Sequence, residues 1–194
     1  MIRKLPDINN IIFLPVEKSG WKDFEQLFGN NGACGGCWCM AWRLKAFEFE
    51  NQKGDKNKKA MRKIINRNEI PGILAYYENE PIGWCAFAPR EKYIRLNNSR
   101  VLAPIDDKNV WSITCFYINK KFRKIGISTE LLKAVIKYCK KNKVKILEAY
   151  PQEPYSDNIP AAFAWTGIPS AFEKAGFKVV ERRSPKRPIM RYYL

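Results

Sequence analysis

The chain has 194 residues, of which 46% are hydrophobic and 13% aromatic; this composition fits one folded domain over residues 1–194 and excludes a disordered chain. Its 35 Lys and Arg against 19 Asp and Glu give a formal charge of +16, which favours anionic partners such as nucleic acid, an anionic surface or a phosphate-rich cofactor. The sequence has no apolar stretch approaching the ~20 residues of a membrane span and no apolar signal segment, so we expect a cytoplasmic protein without a membrane partner.

The N-terminal half is predicted to open with a strand at 11–16 and a helix at 20–28, because its apolar residues follow strand and then helix spacing. A Gly/Asn loop comes next, and the apolar run Cys37–Trp42 is predicted to be a buried strand. A helix is predicted at 58–68. Two apolar runs within 72–88 flank a short polar turn and predict a β-hairpin.

The C-terminal half contains the strongest pattern, a strand, a helix and a strand. Residues 110–118 are apolar or small on both alternating faces, as in a central strand. Residues 128–142 have one apolar stripe and lysines near the end, which predicts a helix, and 144–150 is the next strand, parallel to the first. A short helix at 168–175 and two closing strands within 177–194 complete the prediction.

A candidate anion site lies in the turn between that central strand and helix. Gly126 lets the backbone pass close to a bulky group, and the free amides of Ile127, Ser128 and Thr129 are expected at a helix N-terminus, where partial positive charge suits a phosphate. Arg123 and Lys124 add formal charge beside these amides. Since the sequence has no Walker loop, the pattern indicates a diphosphate site built from backbone amides.

Two segments resemble the GNAT acetyltransferase family. Residues Arg123-Lys124-Ile125-Gly126-Ile127-Ser128 resemble its motif A, a [QR]-x-x-G-x-[GA] pattern that follows a strand and opens a helix. Ile168–Phe177 is similar to the family helix that ends in Tyr-Glu-Lys-x-Gly-Phe. The resemblance covers residues 110–194, while the N-terminal half matches only in the order of its elements; stretches such as Gly83-Trp84-Cys85-Ala86 look like an uncharacterised bacterial branch.

This resemblance implies an α/β (α+β) fold in which helices flank a mixed, mostly antiparallel sheet with a central, splayed, parallel strand pair. It implies transfer of an acetyl group from acetyl-coenzyme A to a primary amine by direct attack in a ternary complex, without a metal. Free backbone groups at the end of the central strand would pair with the pantetheine arm, and the diphosphate would lie on the amides of the turn. The implied cofactor-binding residues are Cys115, Phe116, Tyr117, Ile118, Arg123, Lys124, Ile125, Gly126, Ile127, Ser128 and Thr129.

The resemblance also implies positions for a catalytic base and acid. In the family a carboxylate on the central strand often acts as base and a tyrosine as acid, but these positions fall on Ser112 and Phe172, which cannot serve. We therefore take Glu148 and Tyr150 as catalytic candidates. The alternative readings are a solvated strand carboxylate or a structural ion pair for Glu148 and a half-buried strand aromatic for Tyr150. Because the chain has no histidine, Ser-His and Cys-His nucleophilic mechanisms are excluded. Further candidates are Tyr117, Tyr155 and Asp157.

The segment Cys34-Gly-Gly-Cys37-Trp-Cys39 is a second constellation of reactive side chains. A structural zinc site needs four ligands, and each remaining cysteine is isolated in an apolar strand or helix, so no metal is predicted. We interpret these cysteines as partly buried thiols lining the acceptor side of the cleft, with a redox pair as the alternative.

The partner predictions follow from the same features. The acceptor is a small-molecule or peptide amine: a polyamine, aminoglycoside-like amine, amino acid, peptide N-terminus and lysine side chain all stay open, as does a homodimer. The alternative function is a basic nucleic-acid-binding, or RNA-binding, protein without catalytic activity, in which tryptophans stack on bases and arginines bind phosphates. The tryptophans lie inside apolar runs at strand spacing, however, which favours core aromatics and disfavours a nucleic-acid partner.

Overall fold

The fold is built on one mixed sheet of seven strands in the order β1-β2-β3-β4-β5-β7-β6. The computed structural model describes residues 7–154 and 164–194. All neighbouring strands of this sheet pair antiparallel except β4 and β5, which are parallel. The predicted mixed, mostly antiparallel sheet with one central parallel pair is therefore confirmed. The strands are β1 Ile12–Pro15, β2 Gly72–Tyr77, β3 Glu80–Pro89, β4 Trp111–Ile118, β5 Ile146–Ala149, β6 Lys178–Glu181 and β7 Ile189–Tyr193.

Helices cover both faces of the sheet because successive strand residues alternate between two apolar clusters. One cluster joins α5 and α6 to the face that carries Ile73, Phe87 and Ile113, and the other joins α1, α2 and α3 to the face that carries Leu74 and Trp84. None of the helices in the described ranges has the length and apolarity needed to cross a bilayer. The helices are α1 Trp21–Phe28, α2 Ala46–Asn51, α3 Asp55–Asn66, α4 Ile94–Asn97, α5 Ile127–Lys141 and α6 Pro169–Lys174.

The predicted β-hairpin at 72–88 is confirmed by strands β2 and β3. Its two-residue turn is formed by Glu78 and Asn79, which have φ of 49° and 64°. Two consecutive left-handed residues match the right-handed twist of the flanking strands, as in a type I′ turn. The turn therefore fixes the register in which β2 meets β3, starting from the Tyr77–Glu80 pair.

Strands β4 and β5 separate soon after they pair. Only Trp111–Ile113 of β4 has partners on β5, although β4 continues to Ile118. On its other side β4 pairs Ile113 with Phe87 and Cys115 with Ala86, so Thr114 is an additional, bulged residue. A bulge bends a strand and increases its twist, and here it marks the point where β4 leaves its parallel neighbour. The second half of β4 therefore borders a gap in the sheet.

The predicted strand at Cys37–Trp42 is wrong, because this segment is a series of turns. Trp38 and Cys39 have φ of 47° and 59°, and two consecutive left-handed residues cannot continue an extended strand. The segment is nevertheless buried: Trp38 and Cys39 are 3% and 5% exposed and pack against α1 and β3. It is followed by helix α2, which was not predicted.

Candidate functional site

The turn before α5 has the features of an anion site. Lys124 has a φ of 65° and Gly126 a φ of 92°, so left-handed residues alternate with others, a backbone pattern typical of anion-binding turns. Helix α5 has no side-chain cap on its N-terminus. The N–H of Thr129 donates to the Gly126 carbonyl at 3.0 Å, so the expectation of a free amide at Thr129 is wrong. The N–H groups of Ile127 and Ser128, the first two residues of α5, have no acceptor within the described part of the chain.

Two backbone groups at the free end of β4 already have partners. The N–H of Phe116 donates to the Trp165 carbonyl at 2.6 Å, because the chain turns back at Ala164–Gly167 and lies in the gap beside β4. The Ile118 carbonyl accepts a hydrogen bond from Nε of Arg123 at 2.8 Å. The expectation that the backbone of Cys115 to Ile118 is free is therefore wrong at these two atoms.

A cavity of about 550 Å³ connects the turn before α5 with the loop that precedes α2. It runs along the second half of β4, so it brings the predicted cofactor segment and the cysteine-rich segment to one space. Its size is in the range of small-molecule sites. Its lining residues are Phe28, Ala33, Cys34, Cys37, Cys39, Ala41, Phe49, Arg95, Cys115, Phe116, Tyr117, Ile118, Arg123, Ser128, Ala164, Trp165, Gly167 and Ile168.

The wall of this cavity is mainly apolar and its formal charge is positive. Among its described lining residues, Arg95 and Arg123 are the only charged side chains, and no carboxylate is present. Arg95 donates from Nη1 to the Ala41 carbonyl at 3.0 Å, and its guanidinium lies 5.6 Å from the centre of the Trp42 ring. Arg95 is thus held beside Ala41 and Trp42 on the cavity wall, where its positive charge suits an anion or an uncharged group better than a cation.

Glu148 and Tyr150 are brought together, but in a buried ion network that is separate from the lining of the cavity. Glu148 is 1% exposed and accepts from Nη1 of Arg90 at 3.0 Å, from Nε of Arg191 at 2.7 Å and from the Tyr150 hydroxyl at 2.6 Å. The Tyr150 hydroxyl also lies 2.8 Å from Oγ of Ser112. Burial and the Glu148 charge raise the pKa of Tyr150 far above its usual range. A catalytic role for Glu148 and Tyr150 stays a prediction, and their position outside the cavity lining does not support it.

The two positions that lack the family's usual base and acid, Ser112 and Phe172, are buried and are not among the residues that line the cavity. Ser112 lies within the ion network described above, and Phe172 packs edge-on against Phe116 with ring centres 5.8 Å apart. Of the other candidates, Tyr117 lines the cavity, while Tyr155 and Asp157 lie outside the described residues. Tyr117 is the one predicted proton-transfer candidate that the described part of the chain places on the cavity wall.

Four cysteines, Cys34, Cys37, Cys39 and Cys115, border the cavity. Nε1 of Trp84 donates to Sγ of Cys39 at 3.3 Å, and Sγ of Cys115 donates to the Phe116 carbonyl at 3.9 Å. The neighbouring Cys115 thiol, the Trp84 N–H and the Arg43 charge lower the pKa of Cys39 against the opposing effect of burial. Burial raises the pKa of Cys37 to about 11. In the described ranges no group of three or more His, Cys, Asp or Glu is arranged to hold a metal ion.

Arg95, Phe49 and Trp165 were not predicted as site residues. Phe49 belongs to the short helix α2 and Arg95 to the four-residue α4, elements that carry too few residues for a periodic signal. Trp165 reaches β4 from an irregular connection after β5. The sequence signal that could have drawn attention to two of them is local, since Arg95 and Phe49 both stand in short, largely polar segments.

Comparisons with known proteins agree with this architecture. Residues 38–165 match the profile described as the acetyltransferase (GNAT) family. No curated protein sequence matches the chain.

Solved structures resemble the chain in fold at low sequence identity. One is a PaiA N-acetyltransferase from Thermoplasma acidophilum in complex with coenzyme A, which is 17% identical with a TM-score of 0.53 over 95% of this chain and 99% of that one. The aminoglycoside acetyltransferase AAC(6')-Ib with acetyl-CoA is 16% identical with a TM-score of 0.52 over 95% and 93%. A ribosomal-protein-alanine N-acetyltransferase from Brucella melitensis is 14% identical with a TM-score of 0.53 over 94% and 99%.

Proposed function

Because the chain belongs to the GNAT acetyltransferase family, we propose that it moves an acetyl group from acetyl-coenzyme A to a primary amine by direct attack in a ternary complex. The observation that carries the proposal is the uncapped start of α5, which stands at one end of a cavity that runs along the free half of β4. Coenzyme A is bound in solved structures that share this fold. The whole chain, 1–194, serves as one catalytic domain in this proposal.

The cofactor is held by two segments that were predicted for it. The diphosphate lies in the turn Arg123–Thr129, on the amides of Ile127 and Ser128 with Lys124 beside them. The pantetheine arm follows Cys115–Ile118 towards the cysteines, and it pairs with the Phe116 amide only if the Trp165 carbonyl moves aside. Direct attack then requires that the amine reach the thioester deprotonated and that the leaving thiolate receive a proton.

A thermal-shift or calorimetric titration with acetyl-CoA tests this proposal. A ligand at 100 times its dissociation constant stabilises the folded state by about 2.7 kcal/mol, which raises the melting temperature measurably. Adenosine monophosphate, which lacks the pantetheine arm, is the control and should have little effect. If acetyl-CoA has no effect while RNA is retained in a salt-dependent manner, the chain is instead a basic nucleic-acid-binding protein.

The charge of the cavity favours some acceptors over others. A polycation brought beside Arg95 meets like charge, and no described lining residue offers a carboxylate in compensation. We therefore expect spermidine and kanamycin to be poorer acceptors than the α-amines of amino acids or of peptides, by about tenfold in kcat/KM, which corresponds to ~1.4 kcal/mol.

Acetyl-CoA consumption with a panel of these amines checks the preference. The Arg95→Glu variant reverses the charge at this part of the cavity wall and should shift the preference towards spermidine. Equal use of all the amines by the unaltered protein, or a panel ranking that Arg95→Glu leaves unchanged, would contradict the role given to Arg95.

A further inference from the structure

Cys34 and Cys37 are the first and last residues of one tight turn. The N–H of Cys37 donates to the Cys34 carbonyl at 3.0 Å, and the two glycines between them have φ of 53° and 71°, as in a type I′ turn. A β-turn places the Cα atoms of its first and fourth residues within about 7 Å of each other, and disulfides join cysteines whose Cα atoms are about 4.4–6.8 Å apart. The turn therefore brings the two cysteines within the range of a disulfide bond.

The turn is anchored on the start of helix α3. The Gly36 carbonyl accepts from the N–H of Gly54 at 3.0 Å and from Nδ2 of the buried Asn57 at 3.2 Å. Gly36 also lies so close to this helix that an added Cβ would stand 2.3 Å from the Gly54 nitrogen. The two cysteines that flank the glycines are therefore held as a pre-organised pair, which reduces the entropy lost when a bond joins them.

Both thiols of this pair line the cavity, but they differ in their access to solvent. Cys34 is exposed and Cys37 is partly buried, and burial raises the pKa of Cys37 to about 11. Since the thiolate is the form that attacks a disulfide, the exposed Cys34 is better placed to react first, and Cys37 keeps its proton until a second step. The other two cysteines of the cavity wall, Cys39 and Cys115, are not exposed.

The same cavity reaches the residues to which the proposed function assigns coenzyme A. Its lining continues from Cys34 and Cys37 along β4 to Arg123 and Ser128 beside the start of α5. A coenzyme A molecule whose diphosphate lies at α5 extends its pantetheine arm along β4, and that arm ends in a sulfur. The cavity therefore leads a sulfur-bearing ligand towards the cysteine turn.

We propose that Cys34 and Cys37 form a dithiol site that exchanges with the disulfide of oxidised coenzyme A, an inference that rests on the cofactor site of the proposed function. The Cys34 sulfur attacks one sulfur of the coenzyme A disulfide, whose S–S bond breaks, and a mixed disulfide forms on Cys34. The first coenzyme A leaves as a thiolate and takes up the proton that Cys34 lost. Cys37 then attacks the Cys34 sulfur, and the second coenzyme A leaves with the Cys37 proton. Two electrons pass from the dithiol to the coenzyme A disulfide, which yields one protein disulfide and two coenzyme A thiols.

This exchange and acetyl transfer compete for one space. While coenzyme A is bonded to Cys34, its arm occupies the cavity, so acetyl-CoA cannot bind there. Attack by Cys37 releases the arm and leaves the turn closed by a disulfide, and a thiol reductant such as dithiothreitol reverses both steps. The dithiol thus couples the cavity's occupancy to the ratio of oxidised to reduced coenzyme A.

Mass spectrometry after addition of coenzyme A disulfide to the reduced protein tests the pair. The unaltered protein should lose two hydrogens from the tryptic peptide 23–43 and retain no coenzyme A, and dithiothreitol should restore it. Cys37→Ser should stop at one coenzyme A adduct on Cys34, and Cys34→Ser should give neither product. Cys39→Ala and Cys115→Ala, which each remove another thiol of the cavity wall, should still form the disulfide. Its absence in either variant would overturn the pairing of Cys34 with Cys37.

The rate of the first step tests whether the cofactor site delivers coenzyme A to Cys34. In Cys37→Ser, which traps that step, coenzyme A disulfide should modify Cys34 about tenfold or more faster than glutathione disulfide at the same concentration, because binding raises the local concentration of the reactive sulfur. Adding Gly126→Glu, which places a carboxylate in the proposed diphosphate site, should remove this advantage and leave the rate with glutathione disulfide unchanged. Equal rates with the two disulfides in Cys37→Ser would overturn the role of coenzyme A.

Two further results separate this inference from the proposed function. If the protein binds acetyl-CoA and acetylates an amine, but coenzyme A disulfide leaves Cys34 and Cys37 reduced, the dithiol site is wrong and the proposed function stands. If glutathione disulfide oxidises the pair but neither acetyl-CoA nor coenzyme A disulfide binds, the proposed function fails, and the coenzyme A specificity of the dithiol fails with it.

Discussion

Replacing Gly126 by glutamate should weaken acetyl-CoA binding by about 100-fold or more, a loss of at least ~2.7 kcal/mol. The new carboxylate would stand beside the amides that open α5, where we propose that the diphosphate lies, and like charges brought together at a binding site cost several kcal/mol. Calorimetry with acetyl-CoA measures the loss. Normal binding by this variant would show that the cofactor site is elsewhere.

A matched variant separates charge from backbone strain at this position. Gly126 has a φ of 92°, so any side chain is strained there, and an added Cβ would lie 3.3 Å from Cδ1 of Ile8. Gly126→Ala carries the same strain without the carboxylate, and we expect it to lose about 1–2 kcal/mol of unfolding free energy but to keep most of its affinity. If alanine weakened binding as much as glutamate, the shape of the turn, not charge, would explain both results.

Replacing Glu148 by glutamine should lower the free energy of unfolding by about 3–5 kcal/mol. Glutamine keeps the shape but not the charge, so the guanidiniums of Arg90 and Arg191, which are 8% and 2% exposed, would lose a shared buried counter-ion. Arg191 would retain Asp106, whose carboxyl it holds at a pKa of about 2. Urea unfolding followed by circular dichroism measures the change.

Glu153→Gln provides the comparison for that loss. Glu153 pairs with Arg182 at 2.9 Å, but both side chains are partly exposed, at 30% and 41%. Pairs of this kind contribute about 0–1 kcal/mol because water screens them. Equal destabilisation by the two substitutions would contradict the structural role of Glu148, and a Glu148→Gln protein of normal stability but without activity would restore it as a catalytic candidate.

Elements whose signal is local could be predicted from the sequence. The β2–β3 hairpin and the β4–α5–β5 unit depend on apolar periodicity and on turn residues that lie next to each other in the chain. The turn at Gly126 belongs to the same group, since a glycine between a strand and a helix is visible without tertiary structure. These elements determine the start of α5 and one side of the cavity.

Features that depend on long-range contacts or on backbone angles could not be predicted. The apolar run Cys37–Trp42 has a strand-like composition, but composition does not report that Trp38 and Cys39 are left-handed. Glu148 meets Arg191 because β5 lies beside β7, and it meets Arg90 because β4 alone separates β5 from β3, after which Arg90 follows; these arginines are 43 and 58 positions away in the chain. That Cys39 and Cys115 line the same cavity likewise depends on how the loop before α2 packs on β4.

The Phe116 amide at the free edge of β4 donates its hydrogen bond to the Trp165 carbonyl, so a ligand that uses this amide must displace that internal bond. A ligand that pairs with this amide binds only those molecules in which the internal bond is open, so its observed dissociation constant is the intrinsic one divided by the open fraction. If the bond has a net worth of about 1 kcal/mol, affinity is reduced roughly fivefold. The segment that contains Trp165 can therefore set affinity through the population of open molecules, in addition to any contact it makes with the ligand.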